Sequence, residues 1–299
     1  MKDRVIRLFI VAAVSVAALH SLHGQTTPSL QETSLHSAAG SPGSICGQNA
    51  APASLKDALR QVCQRKPPLT ADSAIHKTIV IGFVGGFVKH DDLKHPEVQF
   101  AGYLRDRYPS AVHAEVFSNH DGQKALRQVV SLLDTNSDGA LSAAEKDQAR
   151  IIIYGHSWGA SETVAFAREL AQKGIPVLLT IQVDTIAKPG QNVSVIPPNV
   201  ATAVNFYQPG GLLHGHPEIL PADPVRTKIL GNFRMTYEGH PINCDNYSWF
   251  ARTFNKPHHE IENDPRVWDQ AASLIESELS GSTSSHAAEL ESGNIGNAP

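Results

Sequence analysis

The 299-residue chain has no run of Lys or Arg that would follow a polyphosphate backbone, and its formal net charge is −4, so nucleic acid is not an expected partner. Charged residues make up only 18% of the chain, against 41% apolar residues, the balance of an ordinary globular protein. Cysteine is scarce: with three residues, Cys46, Cys63 and Cys244, a framework of several disulfides is excluded. No uniformly apolar stretch approaches the ~20 residues of a membrane-spanning helix. None stands out as a long apolar lid either.

The apolar stretch at residues 8–19 has a different meaning. Lys2, Arg4 and Arg7 precede it, and small and polar residues follow up to Gly24-Gln25. That pattern predicts a secretory signal peptide over residues 1–24, with no stable membrane anchor after cleavage and a secreted or periplasmic mature protein. Outside the cytoplasm, Cys46 and Cys63 flank a short predicted helix after Ser54 and are able to pair. Cys244 is left over. Residues 25–73 read as a leader that includes this helix, residues 74–279 as the folded domain, and residues 280–299 as a disordered tail.

The folded domain is organised around residues 150–173, RIIIYGHSWGASETVAFARELAQK. Ile151, Ile152 and Ile153 run on without polar alternation, as in a strand buried on both faces of a parallel sheet. Gly155-His156-Ser157-Trp158-Gly159 follows at once, and then Ala160, Val164, Ala167 and Ala171 recur at helical spacing. Strand, G-x-S-x-G, helix is the arrangement that lifts a serine out of a tight turn above a helix N-terminus, where developing negative charge is favoured. Ser157 is therefore the candidate nucleophile.

On this motif and its context the chain resembles the α/β-hydrolase superfamily, in particular its secreted lipase-, esterase- and thioesterase-like serine hydrolases. The resemblance implies a mostly parallel central sheet with helices on both faces. It also implies a chain order of serine, acid, histidine. Asp184, at the end of the apolar run 176–183, is the first candidate acid, with Asp223 and Asp245 as alternatives. The histidine is expected in the loop before the last helix, which Asp264-Pro265 opens. His258 is preferred there, ahead of His259 and then His240. The oxyanion donors implied are the backbone N–H groups of Trp158 and of Phe87, in the loop Gly85-Gly86-Phe87 after the apolar run 78–84. No histidine precedes those glycines, so the common H-G form of that loop is absent. The expected activity is hydrolysis of small carboxylic esters or thioesters through an acyl-enzyme. An acyltransferase with the same three residues, or a non-catalytic calcium-stabilised binding protein, are the alternatives.

A second motif lies at residues 134–145, DTNSDGALSAAE. It matches the twelve-position EF-hand loop. Asp134, Asn136 and Asp138 stand at positions 1, 3 and 5, and Gly139 at the sharp turn. Ala140 offers its carbonyl, Ser142 a direct or water-bridged ligand, and Glu145 a bidentate carboxylate. The sequence holds no second loop to pair with it, so a structural Ca2+ is expected rather than a sensor. Because the loop precedes the Ser157 strand, the ion is expected at the opposite edge of the sheet from Ser157. The remaining pattern predicts helices over 98–107 and 124–133 and strands over 111–117, 201–207 and 227–235. The segment 208–226 reads as a loop whose His214 and His216 are solvated rather than metal-binding.

Overall fold

The computed structural model describes residues 77–293 except 246, 248, 250–252 and 254, with side chains described as far as residue 280. The expected signal peptide, the expected leader with its short helix, and Cys46 and Cys63 lie outside these residues. Eight strands and six helices are described. In chain order they are β1 (Thr78–Val84), α1 (Pro96–Arg107), β2 (Val112–Ser118), α2 (Gly122–Leu133), α3 (Ala143–Asp147), β3 (Ile151–His156), α4 (Trp158–Gln172), β4 (Val177–Val183), β5 (Val195–Ile196), β6 (Val200–Tyr207), β7 (Leu220–Pro221), β8 (Lys228–Arg234), α5 (Lys256–Glu262) and α6 (Pro265–Gly293).

Six strands form one sheet in the order β2-β1-β3-β4-β6-β8, every neighbouring pair parallel. The short β5 and β7 pair separately. The chain is thus an α/β protein with a parallel sheet, as its continuous apolar runs imply. In β1 the side chains divide between the two faces at every step. Ile79, Ile81 and Phe83 pack with Leu126 and Val129 of α2 and with Val164, Phe166 and Leu170 of α4. Val80 packs on the other face with Ile152, Tyr154, Phe100 and Leu104 of α1, and Trp268 and Ile275 of α6. Burying each large apolar side chain contributes on the order of 1.5–3 kcal/mol.

The sheet's order sets where a site can form. β2 lies on one side of β1, and β3 and all later strands of the sheet lie on the other. The carboxyl ends of β1 and β3 therefore flank the point where the winding reverses, the usual location of a binding crevice in an open α/β sheet. The loops after β1, β3 and β4 converge there.

The last two helices are locked to the sheet by aromatic packing. Phe100, Tyr154 and Trp268 are mutually in contact, with ring centroids 5.2 to 6.0 Å apart. The Tyr154 hydroxyl donates to the Glu97 carbonyl at 2.7 Å, and Trp268 Nε1 donates to the Glu262 carbonyl at 2.7 Å. Two features differ from the sequence expectation. Residues 256–262 form a helix, with Pro257 in its first turn, where a loop is expected. The final helix runs to Gly293, beyond residue 279, where the folded domain is expected to end. No helix among the described residues is long and apolar enough to cross a membrane.

Candidate active site

Ser157 sits between β3 and α4 with φ +58° and ψ −122°, a conformation in which a residue bearing a side chain is strained. Close packing of the flanking glycines explains why the turn exists. A Cβ on Gly155 would lie 2.5 Å from the Gly159 backbone, and one on Gly159 would lie 2.1 Å from the Phe83 carbonyl oxygen on β1. Both glycines are therefore required by contact with backbone that cannot move aside. The Ser157 N–H donates to the Val183 carbonyl at 2.9 Å, which anchors the turn to β4.

Asp184 follows β4 directly, also at positive φ (+46°), and is fully buried. Four donors converge on its carboxylate. Oδ1 accepts from the N–H groups of Gln208 (3.0 Å) and Gly215 (2.8 Å). Oδ2 accepts from Gln208 Nε2 (2.9 Å) and pairs with His258 Nδ1 (2.6 Å). The other nitrogen of that ring, Nε2, lies 3.0 Å from Ser157 Oγ. The structure thus brings Ser157, His258 and Asp184 into one hydrogen-bonded line. Ser157 is 8% exposed and His258 4%. Burial, followed by the charge of His156, holds the His258 pKa below its ordinary value, and the Asp184 contact opposes both.

The other candidates fall elsewhere. His259 stacks on Tyr247 at 4.1 Å and faces Glu262 rather than Ser157. His240 lies in an exposed turn, its N–H bonded to the Tyr237 carbonyl. Asp223 orders its own turn by accepting from the Val225 N–H, and Asp245 is exposed near Cys244. The His216 ring binds Ser194 Oγ (3.0 Å) and the Glu218 carbonyl (2.9 Å), which accounts for both nitrogens without a metal, and His214 is exposed. Cys244 is a free buried thiol, its pKa pushed up to about 12 by burial and then by the charges of Glu260 and Glu262.

Gly85 lies against Ser157: a Cβ placed on it would be 3.1 Å from Ser157 Cβ. This brings the loop carrying Gly86 and Phe87 beside the serine. Asn119, after β2, holds that loop by donating to the Val84 and Gly86 carbonyls. The Phe87 and Trp158 rings meet edge-on at 5.5 Å, and Phe87 is 94% exposed. Trp158 is the first residue of α4, so its N–H has no acceptor within the helix.

Asn119, Gln208 and Gly215 carry no signature in the sequence. Each acts through a backbone group or a carboxamide in a loop, which leaves no spacing signature. A further set was also missed. His156, beside the serine, packs against His258 with ring centroids 4.6 Å apart and ring planes tilted by 36°. Its Nδ1 is 3.6 Å from carboxylate oxygens of both Glu97 and Glu262. Burial alone would lower its pKa, but the charge of Glu262 and the contact with Glu97 outweigh it and raise it to about 9.

The 134–145 loop packs next to the amino-terminal ends of β1, β2 and β3. Thr135 and Glu145 share a cavity with Ile79, His113 and Arg150. Its donor set is all oxygen, which suits a hard cation. Asp134, Asn136 and Asp138 turn their side-chain oxygens inward to the loop's N–H groups at 2.8–3.2 Å, and Gly139 has φ +83°. Glu145 closes the loop onto Thr135 and forms a capping box with Ser142. Hydrogen bonds from the Ser142 backbone and side chain, then from Thr135, lower its pKa to about 2. The residues fit a calcium ion, which would share these oxygens with the hydrogen bonds they now accept.

A scan against protein-family models finds no match, and a search of curated proteins finds no relative.

Proposed function

We propose that this chain is an exported serine hydrolase of the α/β-hydrolase type that cleaves small carboxylic esters or thioesters. The observation that carries this reading is the line Ser157 Oγ–His258 Nε2–His258 Nδ1–Asp184 Oδ2, at 3.0 and 2.6 Å, on a serine held at φ +58°. His258 Nε2 takes the serine proton as Ser157 Oγ attacks the acyl carbon. Asp184 fixes the ring with its proton on Nδ1, so that Nε2 carries the lone pair, and stabilises the imidazolium that forms. The tetrahedral oxyanion is held by the N–H groups of Trp158 and Phe87, each worth on the order of 3 kcal/mol. Collapse of the intermediate releases the alcohol or thiol, protonated from His258. A water activated by the same imidazole then hydrolyses the acyl-enzyme.

The burial of Ser157 and His258 favours a small acyl group. The oxygens of Asp134, Asn136, Asp138, the Ala140 carbonyl, Ser142 and Glu145 would hold a calcium ion as a structural clamp, at the edge of the sheet away from Ser157 and outside the reaction. Steady-state assays on short p-nitrophenyl esters and thioesters test the reading. Wild type turns them over, and Ser157→Ala and His258→Ala each lose at least about 10³-fold. Equal turnover by folded Ser157→Ala would refute it.

A further inference from the structure

Beside the serine and its histidine lies a second polar cluster that the proposed reaction does not use. Glu97, in the first turn of α1, is fully buried, and Glu262, at the end of α5, is 3% exposed. Among the described residues their ion-pair partners are all imidazoles. Glu262 binds His95 Nδ1 at 2.7 Å and faces His259 Nδ1 at 3.5 Å, and both carboxylates face His156 Nδ1 at 3.6 Å. Ligand atoms of His95, Glu97 and Glu262 all lie within 4.8 Å of one another. No group stands within ordinary hydrogen-bond distance of either buried Glu97 carboxylate oxygen; His156 Nδ1 faces Oε1 from 3.6 Å. A buried carboxylate that lacks a close hydrogen bond is strongly disfavoured unless a cation stands beside it.

We propose that His95, Glu97, His156 and Glu262 hold a divalent first-row transition-metal ion, zinc in the simplest case, in a closed structural site. Two imidazoles and two carboxylates without thiolate match that class of ion. The spacing also matches. Ligands about 2.0–2.1 Å from a tetrahedral ion stand about 3.4 Å from one another, close to the 3.6 Å between His156 Nδ1 and each carboxylate. The 2.7 Å His95–Glu262 hydrogen bond would open as the ion takes its place.

The three elements involved give the site its purpose. His95 and Glu97 begin α1, His156 ends β3, and Glu262 ends α5, the helix that carries His258. A metal there ties that helix to the sheet, and Tyr247 covers it, its ring 5.9 Å from His95 and 4.1 Å from His259. The proposal is independent of the hydrolase reading, because it requires nothing of Ser157.

The test uses the tag-free secreted chain, stripped with chelator and held in excess calcium so that the 134–145 loop is occupied. Zinc or cobalt is then added and bound metal is measured per chain, with thermal unfolding in parallel. The expected result is one equivalent of zinc, a rise in Tm, and for cobalt the visible bands of a four-coordinate nitrogen and oxygen site. Glu97→Gln and the partly exposed His95→Ala weaken binding by at least the roughly 10–100-fold that even outer-shell changes produce. Asp134→Asn binds zinc like wild type. Wild type that takes up no zinc or cobalt overturns the proposal. So does zinc binding that survives in His95→Ala and Glu97→Gln, or that is lost in Asp134→Asn.

Discussion

Replacing Asp184 by Asn changes one atom of a fully buried side chain and reverses the logic of its neighbours. The carboxylate accepts four hydrogen bonds, two at each oxygen. An amide must place its NH2 at one of these positions. At Oδ1 it would confront two backbone N–H groups that cannot turn away, so the NH2 settles at Oδ2. There it donates to His258 Nδ1, which becomes an acceptor, and the ring proton moves to Nε2. His258 then has no lone pair to receive the Ser157 proton. The expected loss in kcat/KM is about 10⁴-fold, or about 5.5 kcal/mol of transition-state stabilisation. Gln208 Nε2 now faces a donor, and two charge-assisted hydrogen bonds are lost. At about 1.5–3 kcal/mol each, partly recovered by the new tautomer, the stability loss is on the order of 2–4 kcal/mol. The positive φ of Asp184 adds nothing, since Asn tolerates it equally. Ester hydrolysis and thermal unfolding measured on the same preparation separate the two effects. A folded Asp184→Asn variant within tenfold of wild-type activity would refute the assignment of Asp184 as the residue that fixes the His258 tautomer.

Other consequences follow from the same geometry. Gly159→Ala puts a methyl group 2.1 Å from a β1 carbonyl, so expression should yield little soluble protein and any that folds should unfold well below wild type. Removal of calcium should lower Tm in wild type but not in Glu145→Gln, whose loop has lost its closing ligand; an equal response in both would place the calcium elsewhere. The acid limb of kcat/KM should fall below pH 6.5. His258 must be neutral to act as a base, and burial and the neighbouring positive charge hold its pKa below that value. Activity is therefore retained as pH falls through 6.5 and lost only below it, and a limb centred above 6.5 would contradict the environment described for His258.

Much of the frame was legible because burial leaves a mark on composition. β1, β3 and β4 are covered on both faces, and their uninterrupted apolar runs mark them within one or two residues of their observed ends. The elbow was legible because two glycines and a serine must stand at fixed spacing between a strand and a helix. β8 reads less clearly, since it is an edge strand with exposed side chains. Asp184 could be separated from Asp223 and Asp245 only by its place after β4. The Gln208 and Gly215 donors that set it apart come from a segment that reads simply as rich in Gly, Pro and His. His258 is expected in a loop because the resemblance places the histidine in the loop before the last helix, yet residues 256–262 form a short helix with Pro257 in its first turn. The His95–Glu97–His156–Glu262 cluster was invisible. Its members come from three elements far apart in the chain, and only the sheet's winding brings them together.

The proposed function requires Ser157 to be an activated nucleophile. The most direct measurement is intact mass after incubation with a fluorophosphonate, in the presence of calcium, for wild type and Ser157→Ala. A single adduct is expected on wild type, at Ser157, and none on the variant. Folded wild type that remains unmodified, even by a phosphonate small enough to reach a serine only 8% exposed, would contradict it.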